Sequence, residues 1–428
     1  MDLDVIKKKL KMKIKIPAAT FLLLLLVPVV LLSFVPREAE GAGEGTGGES
    51  SGKYCLEWET LFGHARQDRA FGAAGDGEGG YVVVGETQSC YGYGAGESDV
   101  LLARVNEKGS LMWQKRYGGT GDDRGCAVAP AVEGGWLLAG ATRSFNDFRD
   151  ENAYLLRVDK EGLLQWQKVL GGPGEEVLYD ARQTSDGGWI AVGETGSFSG
   201  GRASVYLVRL DSNGTVLWDK VFCAGDAAGG SFVREEKDGG FVVAGHVFTP
   251  LRGRDVYLLK TDARGNKVWE KIFGGAGWEC IEVMSFDAGG GYLLGGWTTS
   301  TPDGNVSTFI IRTGPGETGT WEKTFGGPGW KTVKAAAQNP DGSFLLGGWE
   351  DRGERNGTVL FILKIAPNGE VIQESTLGGE KFRREFSLLF TRDEGVLVTG
   401  WWEESLKNRQ WKNEGVQGYV AKFKKVQL

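Results

Sequence analysis

A five-residue segment returns seven times along this chain at a nearly fixed interval, and that recurrence restricts the fold more than any other feature. Each copy is an aromatic or aliphatic residue, three mostly apolar residues and a glycine, as in Tyr81-Val82-Val83-Val84-Gly85; further copies begin at Trp136, Trp189, Phe241, Tyr292, Phe344 and Val396. The closing glycines fall at positions 85, 140, 193, 245, 296, 348 and 400, in steps of 51 to 55 residues. Spacing this regular marks an array of identical supersecondary units.

Each unit resolves into four apolar runs separated by turn signals. After the glycine and a variable polar stretch comes a second strand, such as Tyr154-Leu155-Leu156-Arg157-Val158 or Val256-Tyr257-Leu258-Leu259-Lys260. A turn with Asp or Asn three residues before Gly leads to a third strand carrying Trp and Lys, as in Trp166-Gln167-Lys168, which ends at Gly-Gly in most copies. The run before the next aromatic, residues 126–132 in one copy, supplies the fourth. Asp-Gly pairs at 186, 238 and 341 and Asn-Gly pairs at 213 and 368 mark hairpins, read here as tight two-residue turns with positive backbone angles. No sustained 3.6-residue period interrupts the pattern, so the region is all-β.

Four strands per period near fifty residues specify a β-propeller blade. The ends of the array favour a closed ring over an open solenoid. A Trp-bearing strand at residues 56–62 precedes any complete repeat, and the last repeat stops after residues 418–424, one strand short. If the first strand completes the last blade, seven four-stranded antiparallel blades close without a missing piece. No capping repeat of the kind an open array needs is visible. With strands named a to d from the axis outward, blade 1 spans residues 68–117, blade 2 residues 122–170, and blade 7 combines residues 381–424 with strand d from residues 55–62.

The motifs Gly171-Gly172, Asp186-Gly187-Gly188-Trp189 and Gly193-Glu194-Thr195 resemble the SBBP-type β-propeller repeat of exported bacterial and archaeal proteins. The resemblance covers nearly all of residues 54–424 and implies a fold without specifying an activity. Two copies depart from it: Gln373 replaces the outer-strand Trp, and Cys223-Ala224-Gly225 interrupts a Gly-Gly.

Ahead of the array, Lys7, Lys8, Lys9, Lys11, Lys13 and Lys15 precede an uncharged apolar run at residues 16–35. Twenty such residues are long enough to span a bilayer, and the flanking lysines favour the cytoplasmic side. The expected organisation is a basic cytoplasmic segment at 1–15, a transmembrane anchor or signal peptide at 16–35, a flexible Gly/Glu/Ser linker at 36–53, and a cell-surface propeller at 54–428. Small residues at 39–42 leave cleavage and secretion as the alternative.

With the six lysines and two aspartates of residues 1–35 set aside, 43 basic and 54 acidic side chains remain, a net charge of −11. So acidic a surface is poorly matched to nucleic acid, whose binding depends on neutralising phosphates. The five cysteines, Cys55, Cys90, Cys126, Cys223 and Cys280, form no C-x-x-C unit, which argues against a zinc site. Cys90 and Cys126 fall near one rim of adjacent blades and are the one pair placed to form a disulfide.

Antiparallel strands send the b–c and d–a loops to one rim and the a–b and c–d turns to the other. The first rim holds the long, irregular segments, where binding residues on a rigid frame usually sit. The residue after the closing glycine is Glu86, Ala141, Glu194 and His246 in blades 1 to 4, but Trp297, Trp349 and Trp401 in blades 5 to 7. Trp278 and Trp330 join them from d–a loops. These five tryptophans form the candidate ligand-binding arc, aromatic faces suited to a carbohydrate or a protein partner; blade-to-blade packing is the competing role. Trp113, Trp166, Trp218, Trp269 and Trp321 on outer strands are read as packing. Asp122, Asp123, Glu175, Glu176 and Asp226 occupy the opposite arc, where they form a solvated rim or hold a cation.

Neither His64 nor His246 has metal-ligand spacing, and no nucleophile elbow, phosphate-cradling loop or H-E-x-x-H motif occurs, so no enzyme and no cofactor is expected. The run Asp159-x-x-Gly162-x-x-x-Trp166, repeated from Asp211 and Asp262, resembles part of the tryptophan docking motif of quinone-dependent dehydrogenase propellers. That resemblance implies a redox enzyme, but the cofactor ligands of such enzymes have no counterpart here. A binding module therefore ranks first, a purely structural surface module second and a quinone enzyme third.

Overall fold

The computed structural model describes residues 53–63, 67–88, 98–145, 150–250, 253–302, 304–314, 320–326, 329–352, 358–382, 387–402 and 416–426. The proposed anchor, the proposed linker up to residue 52, His64, Cys90 and residues 403–415 lie outside them. Among the described residues no helix is long and apolar enough to cross a membrane.

The strands of the first three blades are β2 (Gln67–Gly75), β3 (Tyr81–Gln88), β4 (Asp99–Val105) and β5 (Leu111–Tyr117); β6 (Asp123–Pro130), β7 (Trp136–Thr142), β8 (Asn152–Val158) and β9 (Leu164–Leu170); β10 (Glu176–Gln183), β11 (Trp189–Thr195), β12 (Ser204–Leu210) and β13 (Val216–Phe222). Blades 4 to 6 follow as β14 (Ala227–Glu235), β15 (Phe241–Thr249), β16 (Gly253–Thr261) and β17 (Lys267–Phe273); β18 (Glu279–Phe286), β19 (Tyr292–Thr298), β20 (Ser307–Thr313) and β21 (Trp321–Phe325); β22 (Trp330–Gln338), β23 (Phe344–Asp351), β24 (Thr358–Ile365) and β25 (Val371–Phe382). Blade 7 contains β26 (Ser387–Phe390), β27 (Val396–Trp402) and β28 (Gln417–Val426), completed by β1 (Lys53–Phe62). The described residues thus form seven four-stranded antiparallel sheets.

Closure occurs where the repeat count places it. β1 pairs antiparallel with β28, Trp58 opposite Lys422 and Leu61 opposite Tyr419, and the ladder runs from Lys53 opposite Val426 to Phe62 opposite Gly418. The pairing hides an edge of β28 that would otherwise invite aggregation. It also places Lys53 on the rim of the a–b and c–d turns.

The core is not one cluster but seven, each shared by two adjacent blades. On strand β3, Val82 and Val84 pack toward blade 2 while Tyr81 and Val83 pack toward blade 7. Side chains alternate across a sheet, and here both faces are covered, so the repeating segment must be apolar at consecutive positions. Its closing glycine is equally constrained, because a Cβ on Gly85 would lie 1.7 Å from the carbonyl oxygen of Arg69 on the neighbouring inner strand.

Two further contacts recur around the ring. A basic residue of strand c reaches an acid of its own a–b turn in every blade: Arg104 to Asp76, Arg157 to Glu133, Arg209 to Asp186, Lys260 to Asp238, Arg312 to Asp287, Lys364 to Asp341 and Lys422 to Asp393. The outer-strand tryptophan packs on the c–d turn glycine of the next blade. A Cβ on Gly162, Gly214, Gly265 or Gly369 would fall within 3 Å of the ring of Trp113, Trp166, Trp218 or Trp321 respectively. The Asp-x-x-Gly-x-x-x-Trp run is therefore an interblade clasp. Gln373 breaks the pattern in blade 6, and the blade it faces has no covalent c–d turn, because the chain ends meet there.

The hairpins differ from the two-residue turns expected above. Only the glycine of each pair is left-handed, with Gly187 at φ +83° and Gly214 at φ +82°. Thr184 accepts from Gly187 N–H at 2.9 Å and donates to the Gly188 carbonyl at 2.9 Å, which is a three-residue loop ending in a bulge glycine. The Asp side chain sits before the glycine and caps backbone N–H groups instead of adopting positive φ.

Candidate functional site

The rim of b–c and d–a loops is built on a hydrogen-bonded knot that recurs in blades 2, 3 and 5. Glu176, fully buried at the start of β10, accepts from Gly172 N–H at 3.0 Å and from the hydroxyls of Thr195 at 2.7 Å and Ser197 at 2.5 Å. Asp123 and Glu279 hold the equivalent groups of their own blades, Asp123 with Gly119, Thr142 and Ser144, and Glu279 with Gly275 and Thr298. The knot ties each d–a loop to the start of the b–c loop. It accounts for the Gly-Gly-x-Gly-x-Asp/Glu spacing of these three blades, and it corrects the reading of Asp123 and Glu176 as solvated rim acids: both are consumed inside the fold. Among the described residues no group of three or more His, Cys, Asp or Glu side chains is placed to hold a metal ion.

The five candidate tryptophans divide into three settings. Trp297 meets Trp330 edge-on across the interface of blades 5 and 6 at 5.9 Å between ring centroids, Trp330 lies tilted at 5.8 Å from Trp349, which packs toward blade 7, and Trp297 and Trp349 are buried. Trp401, half-buried, lies beneath the Arg69 guanidinium at 4.9 Å, which joins blade 7 to blade 1. Trp278 is 43% exposed and sits edge-on against Phe248 at 6.1 Å. The side chain after the closing glycine thus points toward the next blade, and exposure belongs to the d–a loop.

Two exposed aromatics on the same rim carry no mark in the repeat. Phe145 packs on Tyr154 at 5.6 Å and Phe198 on Tyr206 at 6.0 Å, each following the knot serine of its blade. The signal for them is a Ser-Phe pair directly after the second strand, short enough to pass for ordinary loop.

Inside the ring the inner strands carry a bulge at one position. The a–b register slips at Phe71, Cys126, Tyr179, Ser231, Glu282 and Lys334. A bulge re-aims the extra side chain, here toward the axis, and Glu282 meets Lys334 of the next blade at 2.9 Å. Near the channel mouth the charges are mostly matched, Arg69 with Glu86 at 3.1 Å and Arg124 with Glu151 at 2.9 Å. Desolvation in the channel wall pushes the thiols of Cys126 and Cys280 up to about 11. Both are free thiols among the described residues, as are Cys55 and Cys223; the Cys90 half of the expected pair lies outside them.

Between blades 3 and 5 the pairing changes character. Burial raises the Glu194 carboxyl to about 7 against the pull of Arg254 and Arg124. Burial, reinforced by the Arg254 charge, holds His246 well below its ordinary imidazole range, so the ring is neutral. Arg254 then donates to His246 Nδ1 at 3.1 Å, which leaves the ring proton on Nε2, facing Glu194 Oε1 at 3.7 Å.

No protein-family model matches the chain, and no curated protein matches it. Solved structures with a similar course include BBS1N in complex with ARL6DN (TM-score 0.48, 9% identity, 88% of this chain and 98% of that chain covered). The β-propeller domain of the Trilobed protease from Pyrococcus furiosus has a TM-score of 0.45 at 12% identity, covering 85% of this chain and 96% of that chain. A protein of unknown function from Dyadobacter fermentans also scores 0.45 at 12% identity, covering 87% and 99%. The assignment as a seven-bladed propeller rests on the sheet order given above.

Proposed function

We propose that the chain is an outward-facing binding propeller, tethered through its N-terminal segment, that engages a carbohydrate or protein partner on the rim of b–c and d–a loops. The observation that carries this reading is Trp278, exposed on a rigid d–a loop and held upright by Phe248. Exposed aromatic surface on an otherwise polar rim is favourable for a partner that removes it from water. Phe145 and Phe198 extend that surface over blades 2 and 3. Trp297, Trp330, Trp349 and Trp401 support the same arc as packed indoles behind the contact surface.

Strand direction supports the orientation. β1 begins at Lys53 on the opposite rim, so a tether through residues 36–53 would leave the loop rim pointing away from the membrane. The SBBP-type motifs fit an exported protein of this kind.

The test is a glycan and peptide array probed with residues 53–428, repeated with Trp278→Ala, Phe145→Ala and Phe198→Ala. Binding that disappears in the Trp278 variant while the melting curve is unchanged supports the rim. Binding indifferent to all three substitutions places the contact off this rim, and no binding at all favours a purely structural module.

A further inference from the structure

We propose that this rim reads a carboxylate on a saccharide, with Arg254 pairing the acid group while Trp278 carries the sugar ring. The inference rests on the rim binding proposed above and narrows it to acidic sugars.

Arg254 is set apart by what surrounds it. Arg69, Arg124 and Lys334 each meet a carboxylate within about 3 Å, at 3.1, 2.9 and 2.9 Å. Arg254 has no carboxylate partner at such a distance among the described residues. One terminal nitrogen donates to His246 Nδ1 and the guanidinium lies 5.9 Å from the Phe248 ring, while its Nε is buried and faces no ligand. A guanidinium offers its N–H donors in a planar fork that matches a carboxylate, and the terminal N–H groups left over after the His246 contact are what such a ligand would take.

The aromatic platform is fastened to the same strand. Gly253, the residue before Arg254, has φ +92°, and a Cβ there would lie 3.0 Å from Trp278 Nε1. The indole therefore rests against the start of β16, one residue from the cation, with Phe248 touching both. Apolar contact for one face of a sugar and a fixed cation beside it are the two elements that recognition of a uronate-type ring needs. An extended peptide would find no strand to pair with on this rim, because the sheet edges belong to the innermost and outermost strands, which line the channel and the circumference.

Calorimetric titration with trigalacturonic acid, its methyl ester and the neutral galactose trimer tests the assignment. The expected result is at least tenfold tighter binding of the acid than of the ester. Arg254→Gln should abolish that ratio and leave the weak ester binding in place, and Trp278→Ala should weaken acid and ester together, with thermal melts confirming the fold. Equal binding of acid and ester, or a ratio that survives Arg254→Gln, overturns the charge reading while leaving the rim intact. Peptide binding lost with Trp278→Ala but no saccharide binding overturns the acidic-sugar assignment and keeps a protein partner. Absence of both kinds of ligand overturns the rim proposal itself.

Discussion

Trp58 donates its indole N–H to the carbonyl oxygen of Glu107 at 2.9 Å, and its ring covers Gly109, where a Cβ would lie 2.5 Å away. The first strand of the domain thereby joins its last blade to its first by the clasp used between other blades. The seam where the chain ends meet uses the same contact, so closure depends on β1 both through its ladder to β28 and through this indole.

Trp58→Ala should therefore lower stability by about 2–4 kcal/mol, the lost burial of a half-exposed aromatic together with its hydrogen bond. Gly109→Ala should destabilise as well, since φ +79° and the indole both exclude a methyl group. Urea unfolding of residues 53–428 checks both; a midpoint unchanged in either variant would mean the clasp contributes nothing at the closure.

The turn acids Glu133, Asp186, Asp238, Asp287, Asp341 and Asp393, all held below the ordinary carboxylate range, make stability sensitive to acid. Burial disfavours the Asp287 carboxylate, but hydrogen bonds from Gly289, Arg312 and Gln338 prevail and hold it below the ordinary range; Asp341, bonded by Ser343 and Lys364, is lowered to about 2. A depressed group contributes stability above its unfolded value of 3.8 and loses it as pH falls through the folded value. Unfolding should set in between about pH 4 and about pH 2. Asp287→Asn should flatten that limb, measured by thermal melts across the range.

Glu194 acts with the opposite sign. Its folded value of about 7 lies above the unfolded 4.5, so its contribution is complete below 4.5 and is lost as pH rises through 7, a change of up to about 3 kcal/mol. His246 opposes it below 6.5, where its lowered value makes acid destabilising. Glu194→Gln should raise the melting temperature at pH 8 and change it little at pH 4.5. Parallel pH profiles for the two proteins would count against a buried, protonated Glu194.

Thiol reactivity should follow the channel. Cys55 and Cys223 are exposed, whereas burial raises Cys126 and Cys280 to about 11 and keeps them protonated. In maleimide labelling at pH 7.5 read by peptide mapping, Cys55 and Cys223 should be modified first. Equal rates at Cys126 would place that side chain in open solvent.

Glu394 occupies the turn position that glycine holds in other blades, with φ +58°. Glu394→Gly should stabilise the protein by up to about 1 kcal/mol by relieving the left-handed strain, less the exposed ion pair with Lys425. Denaturant melts decide the sign.

Much of this molecule is legible without coordinates because its information is local and repeated. The spacing of Gly85, Gly140 and their successors sets the blade, and the truncated ends around Trp58 and Tyr419 set the seam, since a strand missing at one end and surplus at the other has one economical arrangement. Consecutive apolar residues such as Val82, Val83 and Val84 likewise announce two covered faces. The knot was not legible: Asp123 and Glu176 looked like surface charges, because nothing in the order of residues says that Thr195 and Ser197 arrive to satisfy Glu176.

What sequence by itself determined is thus the all-β repeat, its sevenfold count and which loops share a rim, all consequences of strand period and direction. Only the tertiary structure decided that Trp297 and Trp349 are buried while Trp278 is exposed, and that Arg254, among the described residues, meets His246 where its neighbours meet a carboxylate. Burial and charge pairing depend on side chains that the adjoining blade brings from about fifty residues away, and the spacing of a repeat records where those blades lie without recording which of their atoms meet.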